Sequence, residues 1–422
     1  MAQRVVSKAS MVSKMSRWSW VWMVAVGITP NLLAPAAEPV EAKGPAAVRR
    51  SGLASAAMGT IVDPRGVEQM IELLRAEGRT VIGPTVVDGT ITPAEIETSD
   101  DLPIGWADDQ EAGRYRVVET QTDEWFASSS PSDSWKRFLS PPEALLIRSK
   151  RTDQGLAIES AEPERHEVAF FGIRSCDLAA IAILDRVFLA PGQVDPIYER
   201  RRSDVFVVAA ACAHPGNLCF CVSMDTGPSP TTGFDVAVTE IWTADRHEFL
   251  VTTGSERGRA LVDRIPGRPA TADDLATAAE QHDRAAAQMG RQLDPADPPL
   301  VAATPDHAGW ADVGERCLAC GNCTMVCPTC YCNSMSDRSD LVGDETERWR
   351  VWDSCFNADF SGLHGTPVRE RVSDRYRQWL LHKLVTWHDQ YGTSGCVGCG
   401  RCISACPVGI DLTAEVRAMA GS

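Results

Sequence analysis

The sequence predicts an α+β protein in two parts, an N-terminal α/β domain and a C-terminal, largely helical domain built around cysteines. Three observations carry that prediction. An apolar strand, a helix and a second apolar strand follow one another between Glu167 and Cys212, the pattern of a parallel α/β unit. Two cysteine arrays of identical spacing lie near the C-terminus. Between those arrays, an amphipathic stretch around residues 370–389 reads as a long helix.

Composition sets the outer limits. The 422 residues are 44% hydrophobic and 23% charged, with a formal net charge of −16, so two or three ordinary domains fit. No basic stripe interrupts that acidic balance, which argues against a nucleic-acid partner. Fifteen cysteines in a chain of this length suit thiolate ligands in a reducing cytoplasm better than a disulfide scaffold.

Residues 1–57 differ from the rest. They hold Arg4, Lys8, Lys14, Arg17, Lys43, Arg49 and Arg50 against only Glu38 and Glu41, and Trp18–Ile28 is an apolar run. A secretory signal, an interfacial anchor, and an over-extended start with Met58 as the true first residue all fit. The run falls short of the roughly 20 apolar residues of a membrane span, so no integral span is expected.

From Met58 the pattern becomes globular, and residues 58–265 read as the α/β domain. Val67, Met70, Ile71 and Leu74 share one helical face that ends at Gly78, and TVIGPTVVDGTI predicts strands about an Asp88-Gly89 turn. Residues 131–147 mix a helical turn with a Pro141-Pro142 break. Next come the strand Glu167–Arg174, the helix Asp177–Leu189 with Asp177 at its N-cap, and the strand Val205–Cys212. FDVAVTEI and EFLVTT predict a closing strand pair. Residues 266–309 read as a linker with a helix around Leu275–Leu293, and residues 310–422 as the cysteine-rich domain. The insert places Val372, Tyr376, Trp379, Leu380, Leu384 and Trp387 on one helical face, read as core.

The arrays carry the chemistry. Cys317, Cys320, Cys323 and Cys327 stand at C-x2-C-x2-C-x3-C before Pro328; Cys396, Cys399, Cys402 and Cys406 repeat that spacing before Pro407. Three thiolates two residues apart wrap one corner of a cubane, while the fourth reaches the other cluster of a two-cluster ferredoxin. The spacing therefore groups Cys317, Cys320, Cys323 and Cys406 on one [4Fe–4S] cluster and Cys396, Cys399, Cys402 and Cys327 on a second. Zinc sites use paired C-x2-C units rather than such runs. The long insert makes the C-terminal domain an α-helical two-cluster [4Fe–4S] ferredoxin rather than a compact one.

Cys176, Cys212, Cys219 and Cys221 form another group at the carboxyl edges of the two apolar strands, where α/β proteins place their sites. A third cluster, a zinc site and buried free thiols all fit that spacing. Cys330, Cys332 and Cys355 remain, and packing or support of neighbouring ligands is expected of them. No nickel-ligating cysteine pair, haem-attachment motif or G-x-G-x-x-G loop is visible, so no catalytic or nucleotide-binding residue is assigned.

GIRSCDLAAIAILDRVF, VVAAACAHPGNLCFCVSM, CLACGNCTMVCPTCYC, WDSC and CVGCGRCISACP, in that order, resemble the β (iron–sulfur) subunits of cytoplasmic sulfhydrogenase-type [NiFe]-hydrogenases. The A subunit of anaerobic sulfite reductase is similar too. The resemblance spans roughly residues 60–415 and is specific in the cysteine blocks. It implies a third [4Fe–4S] cluster on Cys176, Cys212, Cys219 and Cys221. It also implies a partner subunit binding FAD and NAD(P), with [NiFe]-hydrogenase small and large subunits or sulfite reductase subunits beyond it. The expected role is a non-catalytic electron relay in the cytoplasm, and a zinc-stabilised scaffold is the alternative from another class.

Overall fold

The computed structural model describes residues 59–421, except 163–166 and 244; the expectations for residues 1–57 fall outside that range. Strand β1 (Thr60–Val62) leads into helix α1 (Pro64–Ala76). Pro64 supplies a helical φ in the first turn, and the Asp63 carboxylate accepts from the Gly66 N–H. Val67, Met70, Ile71 and Leu74 are buried on the face their spacing predicts. β2 (Thr80–Val87) and β3 (Thr90–Glu95) pair about the Asp88-Gly89 turn, where both residues take positive φ.

A separate hairpin, β4 (Trp106–Glu111) with β5 (Arg114–Glu119), carries Gly113 at its tip, whose N–H donates to the Ile403 carbonyl in the second cysteine array. β6 (Glu143–Thr152) and β7 (Gly155–Ser160) form a third hairpin. The predicted parallel unit follows: β8 (Val168–Ile173), α2 (Ser175–Phe188) and β9 (Phe206–Ala210), with Phe170 opposite Val207. β10 (Val236–Thr243) adds parallel to β9, and β11 (Arg246–Thr253) returns antiparallel as the sequence predicts. With the short β12 (Arg268–Pro269), the eight-stranded sheet runs β12-β1-β11-β10-β9-β8-β2-β3.

Alternation along the central strands explains the layers. Ala169, Phe171, Val208, Ala210, Val236 and Val238 pack with α1 on one face. Phe170, Val207, Ala209 and Ala237 pack on the other against Leu178, Ile181 and Leu184 of α2. A register shift at Gly172, at φ +75°, breaks the alternation just before α2. Helix α2 also departs from expectation. Its N-cap is Arg174, and Asp177 lies inside the first turn with its carboxylate buried against Arg401. A distant cation claims that carboxylate, and a local reading of cap chemistry does not register it.

After helix α3 (Ala272–Ala287), capped by the Thr271–Asp274 box, come α4 (Gly309–Arg316), α5 (Asn322–Met325), β13 (Asn333–Ser339) and β14 (Glu345–Trp352). Helix α6 (Val372–Leu381) continues through a π-helical turn at His382–Thr386 to a last helical turn, Trp387–Tyr391. The short α7 (Arg401–Ser404) and α8 (Leu412–Ala420) complete the chain. On the insert helix Tyr376, Trp379, Leu380, Leu384 and Trp387 are buried as predicted, whereas Val372 is half-buried.

The expectation of an α-helical C-terminal domain needs correction. β14 pairs with β6, so the β13-β14-β6-β7 sheet joins the segment 310–422 to the segment 58–265. The insert strands are half-buried or exposed, with Arg350 alone buried, and show no sustained apolar alternation. Ion pairs across the sheet, Arg148–Glu347, Arg338–Glu143 and Arg348–Asp337, accompany the register. Such strands leave little hydrophobic periodicity to read.

Candidate metal centre

The loop of the first array begins where α4 ends. Cys317 caps that helix, and Ala319 at φ +51° and Gly321 at φ +78° turn the chain so that the Ala319 N–H lies 3.4 Å from the Cys317 sulfur. Cys317, Cys320 and Cys323 line one cavity together with Cys402 and Cys406 of the second array. The rest of its wall is mostly apolar: Phe356, Tyr376, Trp379, Ile410 and Leu412. The Ile410 N–H reaches the Cys406 sulfur at 3.3 Å. Cys320 is exposed, and Leu318 and Val408 beside it are exposed as well.

The second array repeats the turn in a different setting. Gly398 at φ +66° presents its N–H to Cys396 at 3.4 Å, and Gly400 takes φ +76°. Cys399 is buried, and burial pushes its thiol up, as it does those of Cys402 and Cys396, the last to about 12. Cys402 lies within electrostatic reach of Cys396, Cys399 and Cys327, the residues that the crossed spacing groups with it, and also of Cys323 in the first array.

The third group also converges. Cys176 sits in the first turn of α2, Cys212 lies just beyond β9, and Cys219 and Cys221 lie on the loop that follows. Cys221 interacts electrostatically with Cys176, Cys212 and Cys219. Burial pushes the Cys221 thiol up to about 12 and raises the other three. This group abuts the second array backbone to backbone. The Phe220 N–H donates to the Gly398 carbonyl at 2.8 Å, and the Thr226 hydroxyl donates to the Val397 carbonyl at 2.7 Å. Cys176, Cys221 and Cys399 share one buried cluster.

Of the three remaining cysteines, Cys330 lies against Cys327, and Cys332 pairs with Cys355. The Cys330 thiol donates to the Cys327 sulfur, and this holds Cys327 well below the ordinary thiol range against its burial, with Lys383 and Thr329 assisting. Cys355 acts likewise on Cys332, whose thiol is brought down to about 7. The buried Lys383 places its Nζ 2.9 Å from the Cys327 sulfur and 3.1 Å from the Thr329 hydroxyl. Lys136, also buried, donates to the Cys330 carbonyl at 2.9 Å.

Three charged residues escaped the sequence reading. Arg401 and Asp177 form an ion pair at 2.8 Å with side chains 2% and 1% exposed, linking the second array to the turn that carries Cys176. Arg174 is buried and donates to the carbonyls of Ala211, Phe126 and Ser128, bracing the ends of β9 and α2. Lys383 lies on the predicted apolar stripe. A lone basic residue within an apolar pattern is the only local signal, and it is easily read as a helix edge.

The donor set fits iron–sulfur cubanes. The two arrays and the group at Cys176, Cys212, Cys219 and Cys221 supply twelve thiols, backbone N–H groups point at sulfur in both arrays, and the cavity wall at the first array is mostly apolar. Among the described residues, no three His, Cys, Asp or Glu side chains approach closely enough to hold a single metal ion. A cubane spaces its thiolates more widely than a mononuclear zinc does.

Residues 316–410, which include both arrays, match the family model of a 4Fe-4S dicluster domain. Over 287 residues the chain is 33% identical to Sulfhydrogenase 2 subunit beta of Pyrococcus furiosus, an alignment covering 66% of this chain and 82% of that relative. The chain belongs to the sulfhydrogenase β-subunit family. It is therefore an iron–sulfur electron-transfer subunit of a sulfhydrogenase-type complex. The match names a sulfhydrogenase subunit, and nothing in it favours the sulfite reductase alternative. Among the described residues, no helix of this β subunit is long and apolar enough to cross a membrane.

Proposed function

We propose that this subunit carries three [4Fe–4S] clusters and relays single electrons between a flavin subunit that binds NAD(P) and a [NiFe]-hydrogenase module, in the cytoplasm. The first cluster takes Cys317, Cys320, Cys323 and Cys406; the second takes Cys396, Cys399, Cys402 and Cys327; the third takes Cys176, Cys212, Cys219 and Cys221. When bound, such clusters supply reversible one-electron carriers whose potentials follow burial and hydrogen bonding to sulfur.

One observation supports the relay most directly. Cys399 belongs to the second thiol group and shares a buried cluster with Cys176 and Cys221 of the third. Cys402 lies within reach of Cys323 of the first. These contacts support a second site between the other two, with bonded backbone on the third-site side. The first site reaches the surface through Cys320, which gives the relay an exposed end for a partner.

The test is an iron and acid-labile sulfide count on the anaerobically purified chain. About twelve iron atoms per chain are expected from three cubanes. About eight, unchanged in Cys212→Ser, would remove the third cluster. Anaerobic co-purification then tests the partners. A flavoprotein with hydrogenase large and small subunits is the expected result, and a sirohaem reductase in their place would move the relay to sulfite.

A further inference from the structure

The crossed fourth cysteines of the two arrays are equivalent in sequence and unlike in surroundings. Cys406 receives the Ile410 N–H on its sulfur, and the residue after Pro407 is Val408, which is exposed. Cys327 meets Lys383, and the residue after Pro328 is Thr329, which is fully buried.

The three N–H bonds of the Lys383 ammonium have three acceptors. They are the Cys327 sulfur at 2.9 Å, the Thr329 hydroxyl at 3.1 Å and the Gly395 carbonyl at 3.5 Å. None is a carboxylate. Thr329 in turn donates to the Gly395 carbonyl at 2.6 Å, so its oxygen is left to accept from the lysine, and that fixes the ammonium in front of the sulfur. Burying an ammonium is costly unless an anion faces it. The anionic group at hand is the Cys327 sulfur, 2.9 Å from the ammonium. A charge-assisted bond to a ligand sulfur stabilises the more negative, reduced state of a cluster.

We infer that Lys383, held by Thr329 and Gly395, is a positioning residue that sets the second cluster at a more positive potential than the first, so that electrons collect at the buried middle of the relay. This rests on the proposed assignment of Cys327 to the second cluster.

The experiment is a dithionite titration of the anaerobically purified full chain, followed by electron paramagnetic resonance, comparing the native protein with Lys383→Met and Lys383→Arg. In Lys383→Met the midpoint of one cluster is expected to move negative with iron content unchanged; Lys383→Arg should restore most of the shift, and the remaining signals should stay in place. Should Lys383→Met assemble poorly, Lys383→Gln, which keeps a donor and drops the charge, is read by the same criterion. Unmoved midpoints in a fully loaded variant would overturn the inference. Full iron content in Cys327→Ser would instead overturn the ligand assignment beneath it, so the two failures are separable.

Discussion

The two cysteine arrays have the same spacing, and their loops turn with closely similar backbone geometry. Ala319 and Gly398 occupy the same position at φ +51° and +66°, and each N–H lies 3.4 Å from the first sulfur of its array. What surrounds them differs. A Cβ on Gly398 would meet the backbone of Phe220 and Cys221 at 2.6 Å, and one on Gly400 would meet the Leu218 carbonyl oxygen at 2.6 Å. In the first array a real Cβ stands at Ala319, and the nearest neighbour of a Cβ at Gly321 would be a Ser354 side chain at 3.1 Å. Asn322 is exposed where Arg401, its counterpart, is buried in an ion pair. One motif thus serves as an exposed end in one copy and as a buried junction in the other. The ligand spacing specifies the loop, and the neighbours specify its role.

Removing ligands tests the comparison at its strongest. Cys323→Ala and Cys399→Ala should each lose one cluster, about four iron atoms. Only Cys399→Ala should also disturb the spectrum of the third site, because Cys399 packs against Cys176 and Cys221. Retention of all iron in either variant would break the proposed grouping.

Next in size is the counterpart pair. Arg401→Met leaves Asp177 buried without its cation and should lower stability by about 3–5 kcal/mol. Asn322→Ala, at an exposed site, should fall within about 0.5 kcal/mol of native. Anaerobic urea midpoints would measure both, and equal effects would mean that the arrays are buried alike.

The glycine positions give the finest contrast. Gly398→Ala combines a left-handed backbone with a backbone clash and should cost roughly 2–4 kcal/mol. Ala319→Gly trades backbone strain for chain entropy and should stay within about 1 kcal/mol of native. The same denaturation series reads these, with the third-site absorption as a second observable for Gly398→Ala.

Much of the site was legible because cluster ligation is written locally. Three thiolates two residues apart, glycine or alanine at the tight turns and a proline after the fourth cysteine are near-neighbour constraints, and both arrays display them in full. The β8–α2–β9 unit was legible for a similar reason: six consecutive buried residues in β8 and five in β9 leave continuous apolar runs. The third thiol group was visible only as cysteines at strand ends, with zinc and free thiols also open, because Cys176 lies far in sequence from the other three. The β13–β14 hairpin was missed because its strands pair through backbone and exposed charge, so no apolar period marks them.

By itself, then, the sequence determined where the thiols lie in each array, the parallel strand unit and the apolar stripe of α6, since each depends on residues within a few positions of one another. Tertiary structure alone decided what those thiols face. It brought Arg401 to Asp177 across 224 positions and Lys383 to Cys327 across 56, and it laid the 218–221 loop against Gly398. Buried charge needs a partner from wherever the fold supplies one, so such pairings leave no periodicity and no spacing to be read in advance.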